Sequence, residues 1–582
     1  MVKWDLGDIY SSLDAKSLEK IFLELSKKVY SFERNRTKLN NKISGKEIYK
    51  LISKLEEISL IESKLGSYVG LKVSENTSDA KSQALSSKVE QFLTDISNKL
   101  MFFSLWWKDV DEKNAKRILK DLGKHSAMMK RARRFNKYTL SESEEKIMNI
   151  KDSTGVSAVV NIYEIITNAY TYDFNGKKDV SREEVSMQVK SPNPKIREKA
   201  YETLLGRYGE EENVLGEIYR SIVLDWVNEG IKLRNYKSPI SVRNLGNNIP
   251  DEAIDALLNV CKKNVKVLQD YFKLKAKILG MKKLRRYDLY APLKNVSKDY
   301  KFDEAKKIVL DVFNDFDPEF YEMAKRMFDT KHVHSDIKKG KRGGAFCSSV
   351  APSIDPYVLL NFVGKYNDVT TMAHELGHAI HDMHAKDKTI FDFHSPLPLA
   401  ETASIFSEML LEEKLLKDGM PKNEKIHMLT TQLDGIYASI IRQSYFVMFE
   451  EKAHEMIQNG CTVHDLNKEW VRNLKEQFGN SVEVNDVFQH EWKYIPHIYH
   501  TPFYCYAYAF GNLLVLALFN MYKKEGKSFV PKYKKILSYG GSKAPAEVLK
   551  EVGIDISKEE FWQSGFDLIK DLVKNLKKEL NS

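Results

Sequence analysis

A predominantly helical protein with one small β-sheet is what this sequence predicts, and three observations predict it. Only 28 glycines and 15 prolines punctuate 582 residues. Lys, Glu and Leu abound, and apolar residues recur at three- and four-residue spacing, the period of a helix with one buried face. Strand-like sequence, bounded by glycine and proline, is confined to residues 343–362.

Residues 11–150 read as successive amphipathic helices, with Ile48–Ile61 and Val89–Trp107 as clear cases. Asn175-Gly176-Lys177-Lys178 is a turn. Ser191-Pro192-Asn193-Pro194 stops the chain again, and a helix starting near Pro194 opens a second block. A domain boundary is therefore expected near residue 195, giving blocks 1–195 and 196–582. Residues 196–335 read as further helices. Gly343–Val350 and Pro356–Phe362 read as strands. From Val369 onward the pattern is helical, with breaks near Pro396, Pro421, Gly460 and Pro496.

Composition narrows the function classes. Hydrophobic residues make up 42% and charged residues 30%, as in a globular chain with a core. The net charge is +10, but 91 basic and 81 acidic residues are interspersed, and no finger, RNP or helix-turn-helix pattern appears. Nucleic acid is not an expected partner. Cys261, Cys347, Cys461 and Cys505 are scattered without a CxxC pair, which fits a reducing compartment. Asp5 and Asp8 stand where an export signal needs an apolar core, so a cytoplasmic location is expected. Tyr504–Tyr522 has the length of a membrane span, yet Gly511, Asn512, Asn520 and several tyrosines favour a buried helix. No membrane association is expected.

The chemistry concentrates in residues 368–384. Asp368 can cap a helix. Val369, Met372, Ala373, Leu376, Ala379, Ile380 and Met383 then form one apolar stripe. His374, His378 and His381 occupy an adjoining face, with Glu375 one step round from His374. His374-Glu375-Leu376-Gly377-His378 is an H-E-x-x-H pattern. Residues four apart on a helix point the same way, so both imidazoles can reach one Zn²⁺, and Glu375 is poised to take a proton from a metal-activated water. Gly377 permits close approach of another backbone or a substrate. With 14 histidines in the chain, the bare pattern is expected by chance only about 0.02 times.

A catalytic zinc site needs a third protein ligand. His384 falls at the last position of the longer H-E-x-x-H-x-x-G-x-x-H pattern, but His381 replaces the glycine that would break the helix. The alternative is Glu401, which opens a helix far enough along the chain to return to His378. Glu408, two turns further on the same face, could accept a hydrogen bond from a ligand histidine. Glu401 at a helix start also has a purely electrostatic reading, favouring the helix dipole. A third cluster, Ile495–Tyr508, carries His497, His500, Tyr499, Tyr504, Tyr506 and Tyr508. Phenol and imidazole donors can stabilise a tetrahedral oxyanion, and the same spacing also suits an aromatic core stripe.

At these residues the sequence resembles the M3 family of zinc metallopeptidases, and within it the oligoendopeptidase F group. The likeness spans most of the chain. It includes Trp4-x-Leu6-x-x-Ile9-Tyr10, Gly343–Cys347, Tyr357–Asp368, His374–His381, Leu399–Ser404 and Pro496–Gly511. It implies a mainly α, two-lobed fold around a deep channel, with residues 1–195 as an N-terminal helical domain and 196–582 as the catalytic domain. It implies one Zn²⁺ per chain on His374, His378 and Glu401, with His381 and Glu408 behind them. Glu375 would be the general base, and His497, Tyr508 and Tyr504 would contact substrate or oxyanion. The implied activity is hydrolysis of internal bonds in short unstructured peptides. The sequence does not give the oligomeric state, and a monomer is only slightly favoured. Pro502 and neighbouring aromatics stand where a related branch of the family has glycines. The extended peptide is expected to lie along Tyr357–Phe362, main chain to main chain. A helical zinc carboxypeptidase, a silent peptide-binding protein and a basic nucleic-acid scaffold are the competing readings.

Overall fold

The computed structural model describes residues 2–293, 299–417 and 419–582. It is 71% helical with a few short sheets, so the mainly α expectation holds. Two compact units emerge, and each is assembled from three separate stretches. The first comprises Met1–Asn136, Ser297–Asp418 and Met521–Ile554; the second comprises Lys137–Val296, Gly419–Asn520 and Asp555–Ser582.

In the first unit, helices Ala15–Glu33, Gly45–Glu75 and Ala80–Asp109 follow their sequence signals. Asp14, Ser44 and Asp79 cap them, and Ser44 and Glu47 satisfy each other's backbone N–H groups in a capping box. Their apolar faces bury Leu25, Phe32, Ile48, Ile96 and Trp107 in one core. A second core joins Trp4, Leu6 and Ile9 to Leu65, Val69, Tyr357 and Leu359. The opening segment is thus tied down: the Asp5 N–H donates to the Lys331 carbonyl, and the Tyr357 hydroxyl donates to the Asp5 carbonyl.

That second core floors a three-stranded sheet. Its strand order is Val333–His334, Tyr357–Leu359, Phe346–Ser348. The first pair is parallel and the second antiparallel. The two strands expected from sequence are present. The Val333–His334 strand lies in a segment read as helical; two residues are too few to register a period. The peptide-binding expectation for Tyr357–Phe362 needs correction. Tyr357–Leu359 is the central strand, fully buried and paired on both sides, so it has no free edge. Phe346–Ser348 is an edge strand.

In the second unit, Asn175-Gly176 turns a small hairpin, Tyr172–Phe174 against Lys177–Val180. Both turn residues have positive φ (51° and 80°), which is why Asn-Gly suits the site. Asn193 caps helix Pro194–Glu210, with proline at its first position. Helix Asp251–Ile278 packs on Glu559–Asn581. Two buried cations here are ion-paired: Arg197 binds Asp288 at 2.6 Å, and Lys275 binds Asp434 at 2.6 Å. The apolar run near 504–522 forms helix Tyr506–Glu525, buried along most of its length. Among the described residues no helix is long and apolar enough to cross a membrane.

Candidate active site and metal centre

Helix Tyr366–His384 carries the H-E-x-x-H run, and every residue of the expected apolar stripe is buried. It begins three residues earlier than expected, at Tyr366 instead of Val369. Asp368 is therefore not the cap; from the first turn its carboxylate reaches back to accept the N–H groups of Lys365 (2.8 Å) and Val363 (2.9 Å). The helix runs unbroken to His384, so that ring turns away from the pair and packs on Phe320, 5.4 Å between centroids. The longer histidine pattern is thereby excluded.

Helix Thr402–Lys417 packs against this helix, and Gly377 sets the approach. A Cβ at residue 377 would lie 2.6 Å from the Ala403 carbonyl oxygen and 2.7 Å from the Ser404 Cα. The close neighbour is another backbone. Gly377→Ala is expected to destabilise the fold by about 3 kcal/mol, the upper range for overpacking. Chemical denaturation would measure it, and a variant within error of wild type would contradict this packing.

The helix contact delivers Glu401, which sits in the junction between the short turn Leu397–Ala400 and helix Thr402–Lys417. Its Oε2 lies 3.4 Å from His374 Nε2 and 3.4 Å from His378 Nε2. The two Nε2 atoms are 3.2 Å apart. Ligand atoms about 2.0–2.1 Å from a tetrahedral ion stand about 3.3–3.4 Å from one another. The three atoms thus have the spacing of three corners of a zinc tetrahedron, and this is the one group of three such side chains among the described residues that could hold a metal.

The surroundings fix these groups chemically. His374 Nδ1 is 2.5 Å from Glu408 Oε1, which places the proton on Nδ1 and leaves Nε2 as a lone-pair donor. Burial opposes protonation of His374, but the Glu408 hydrogen bond and charge outweigh it and raise its pKa. Glu401 shows the opposite balance. Burial alone would raise it, yet hydrogen bonds with His378 and Ser404 and the nearby imidazoles hold it down at about 2. It is a carboxylate at neutral pH, as a metal ligand must be. Glu375 is 6% exposed, and burial raises its pKa against the pull of His374 and His378. A raised carboxyl pKa suits a group that takes and returns a proton. His381 is buried and bonds Ser395 Oγ at 2.8 Å; burial lowers its pKa to about 3.

His497, Tyr504 and Tyr508 belong to the second unit, where they cluster. Ring centroids are 6.1 Å apart for His497–Tyr504, 6.0 Å for His497–Tyr508 and 5.3 Å for Tyr504–Tyr508. Tyr508 is 38% exposed, which a core stripe would not be. Tyr499 and Tyr506, by contrast, are fully buried.

Two supports were missed from sequence. Phe503 adopts φ 59°, a strained backbone for an aromatic residue. Its N–H donates to Glu450 Oε1 at 2.8 Å, and the Arg243 Nε donates to the Pro502 carbonyl at 3.0 Å. Glu450 and Arg243 come from distant parts of the chain, and only the tertiary fold brings them to this bend. Burial raises the Glu450 carboxyl to about 8, against about 4.5 unfolded. A carboxyl raised in the folded state binds more protons folded than unfolded across that window. Wild type should therefore lose stability relative to Glu450→Gln as pH rises from about 4.5 to 8, by up to about 1.4 kcal/mol per pH unit. Denaturation of both proteins across the range tests this, and a constant difference would contradict it.

The chain is similar to known proteins along most of its length. The model of Peptidase family M3 matches residues 187–568. Oligoendopeptidase F homolog of Borreliella burgdorferi is 27% identical, covering 99% of this chain and 98% of that protein. Oligopeptidase PepF of Bacillus subtilis is 26% identical over 96% of this chain and 84% of its own length. Among solved structures, one from Chlamydophila abortus assigned as a peptidase superposes with a TM-score of 0.90 at 24% identity, covering 99% and 98% of the two chains. Oligoendopeptidase-F from Enterococcus faecium superposes with a TM-score of 0.70 at 20% identity over 98% and 100%. A mostly helical peptidase is the class that fold and motif define. The chain belongs to peptidase family M3, and its fold is that of the oligoendopeptidase F structures.

Proposed function

We propose that this protein is a zinc-dependent endopeptidase that hydrolyses internal bonds of short, unstructured peptides. The observation that carries the reading is the triad of His374, His378 and Glu401, spaced as three tetrahedral corners beside a buried glutamate. These three residues would hold one Zn²⁺ per chain, and Glu408 orients His374 from behind. The bound ion would supply Lewis-acid polarisation of the carbonyl and acidification of a water.

The remaining work falls to side chains. Glu375 accepts the proton of the attacking water and delivers it to the leaving amine nitrogen. The donors of His497 and Tyr508 are assigned to the developing oxyanion, and Tyr504 to substrate contact, by their likeness to the family's tyrosine-rich segment. The edge strand Phe346–Ser348 takes the substrate main chain by strand addition, which gives affinity with little sequence preference. Ser349, next along, bonds Asp382 on the zinc helix and fixes the strand against it. Residues 196–582 would then form the catalytic domain, and the family's channel would restrict access to unfolded chains. A soluble cytoplasmic monomer suits this role.

Product masses from an unblocked peptide of about ten residues test the endopeptidase assignment. Internal fragments are the expected result; stepwise loss of single C-terminal residues would instead assign a carboxypeptidase.

A further inference from the structure

The tyrosine-rich segment also borders a cavity of about 330 Å³ within the second unit, through Tyr499, His500 and Pro502. Its opposite wall forms where helix Glu212–Val227 widens into a π-helical turn, Asn228–Leu233. Such a turn rotates the residues after it about the axis, and it recurs at functional sites. Gly230 lets the turn pack closely: a Cβ there would lie 2.9 Å from Val242.

Three aromatic side chains line the cavity, Trp226, Tyr236 and Tyr499. Each is held in place. The Trp226 indole N–H donates to the Pro239 carbonyl at 2.9 Å. Tyr236 stacks on Tyr138 with centroids 3.8 Å apart, and Tyr499 stacks on Tyr163 at 3.9 Å.

The polar lining carries an excess of negative charge. Arg234 is engaged twice over, by Glu229 at 2.7 Å and by Glu145 at 2.6 Å. His500 faces Glu164 at 3.2 Å. Arg243 lies over Trp226 and is turned to the Pro502 carbonyl. Asp225 lines the cavity, and among the described residues no hydrogen bond or ion pair engages its carboxylate; Glu229 and Asp152 both repel it. An asparagine would be easier to accommodate there in the free protein. A half-buried carboxylate with repelling neighbours and rigid aromatic walls is complementary to a cation.

We propose that this cavity binds an organic cation of the size of an arginine or lysine side chain, with Asp225 as its ion-pair partner and Trp226 and Tyr236 as cation–π contacts. Such a group arrives either on a peptide or as a free amine. The binding stands apart from the peptidase reading; only the peptide source rests on it.

Agmatine, a free guanidinium amine, is titrated calorimetrically into the full-length protein and into Asp225→Asn. Saturable binding to wild type, weakened at least tenfold in the variant, is expected, with an unfolding temperature in the variant no lower than wild type. No saturable binding to wild type, or equal binding to both, overturns the proposal. Two blocked peptides differing only in arginine or citrulline then separate the sources. A peptide source predicts at least a tenfold higher kcat/KM for the arginine peptide in wild type and loss of that preference in Asp225→Asn. Equal rates in wild type, with agmatine binding intact, assign the site to a free amine. Cleavage of neither peptide would count against the peptidase reading and leave the agmatine titration to decide the cavity.

Discussion

Glu375→Gln is expected to keep the fold and the zinc while kcat falls by about 10⁴, the upper range for removing a general acid–base. The substitution preserves shape and leaves His374, His378 and Glu401 untouched. What it removes is the proposed proton acceptor, and Glu375 is 6% exposed in a setting that raises its pKa. The fall should appear in kcat, with KM changed little, because the proton moves in the transition state and not on binding. Metal analysis of the same preparation checks that the loss is chemical. A variant with near-wild-type turnover would remove Glu375 from the mechanism.

Glu401→Gln should lose the metal itself. The Glu401 carboxylate stands 3.4 Å from each imidazole Nε2, and it is the only anionic member of the triad. An amide oxygen in its place carries no charge, so zinc affinity is expected to fall on the order of 100-fold or more. Zinc binding to the folded state raises the unfolding temperature by mass action. Wild type should therefore show a zinc-dependent shift that the variant lacks at equal zinc. Glu408→Gln removes only the support behind His374, and a milder loss of about 10–100-fold is expected. Equal zinc content in wild type and Glu401→Gln would exclude Glu401 as a ligand.

The candidate site was legible to the extent that its geometry is local. His374 and His378 share a face because helices repeat every 3.6 residues, and that relation survives any tertiary arrangement. Glu408 meets His374 because two helical turns from Glu401 return to the same side. Glu401 itself needed a second helix to come back, and the sequence supplied only the prolines that permit the turn. The Asn-Gly turn was readable, but not the short strands flanking it, because three or four residues carry too little alternation. The same brevity hid strand Val333–His334, and with it the fact that Tyr357–Leu359 is central. Glu450 under Phe503 and Asp225 beside Trp226 were invisible for another reason. A lone acid in a helix reads as solvated surface until the fold shows what surrounds it.

The two compact units were the least accessible feature. Each combines three stretches from different parts of the chain, held by contacts between residues hundreds of positions apart. Arg131, for example, binds Asp392 at 2.8 Å and the Gly541 carbonyl at 2.7 Å. Periodicity and turn signals describe neighbours in sequence, so they carry no record of such pairings.

Metal-dependent cleavage of internal peptide bonds is measured most directly by hydrolysis of a short internally quenched peptide, blocked at both ends, with and without a zinc chelator. Cleavage that the chelator abolishes and added zinc restores is expected, since blocked termini leave an exopeptidase nothing to act on. Cleavage that persists after complete zinc removal, or no cleavage by the zinc-replete protein, would contradict a zinc-dependent endopeptidase.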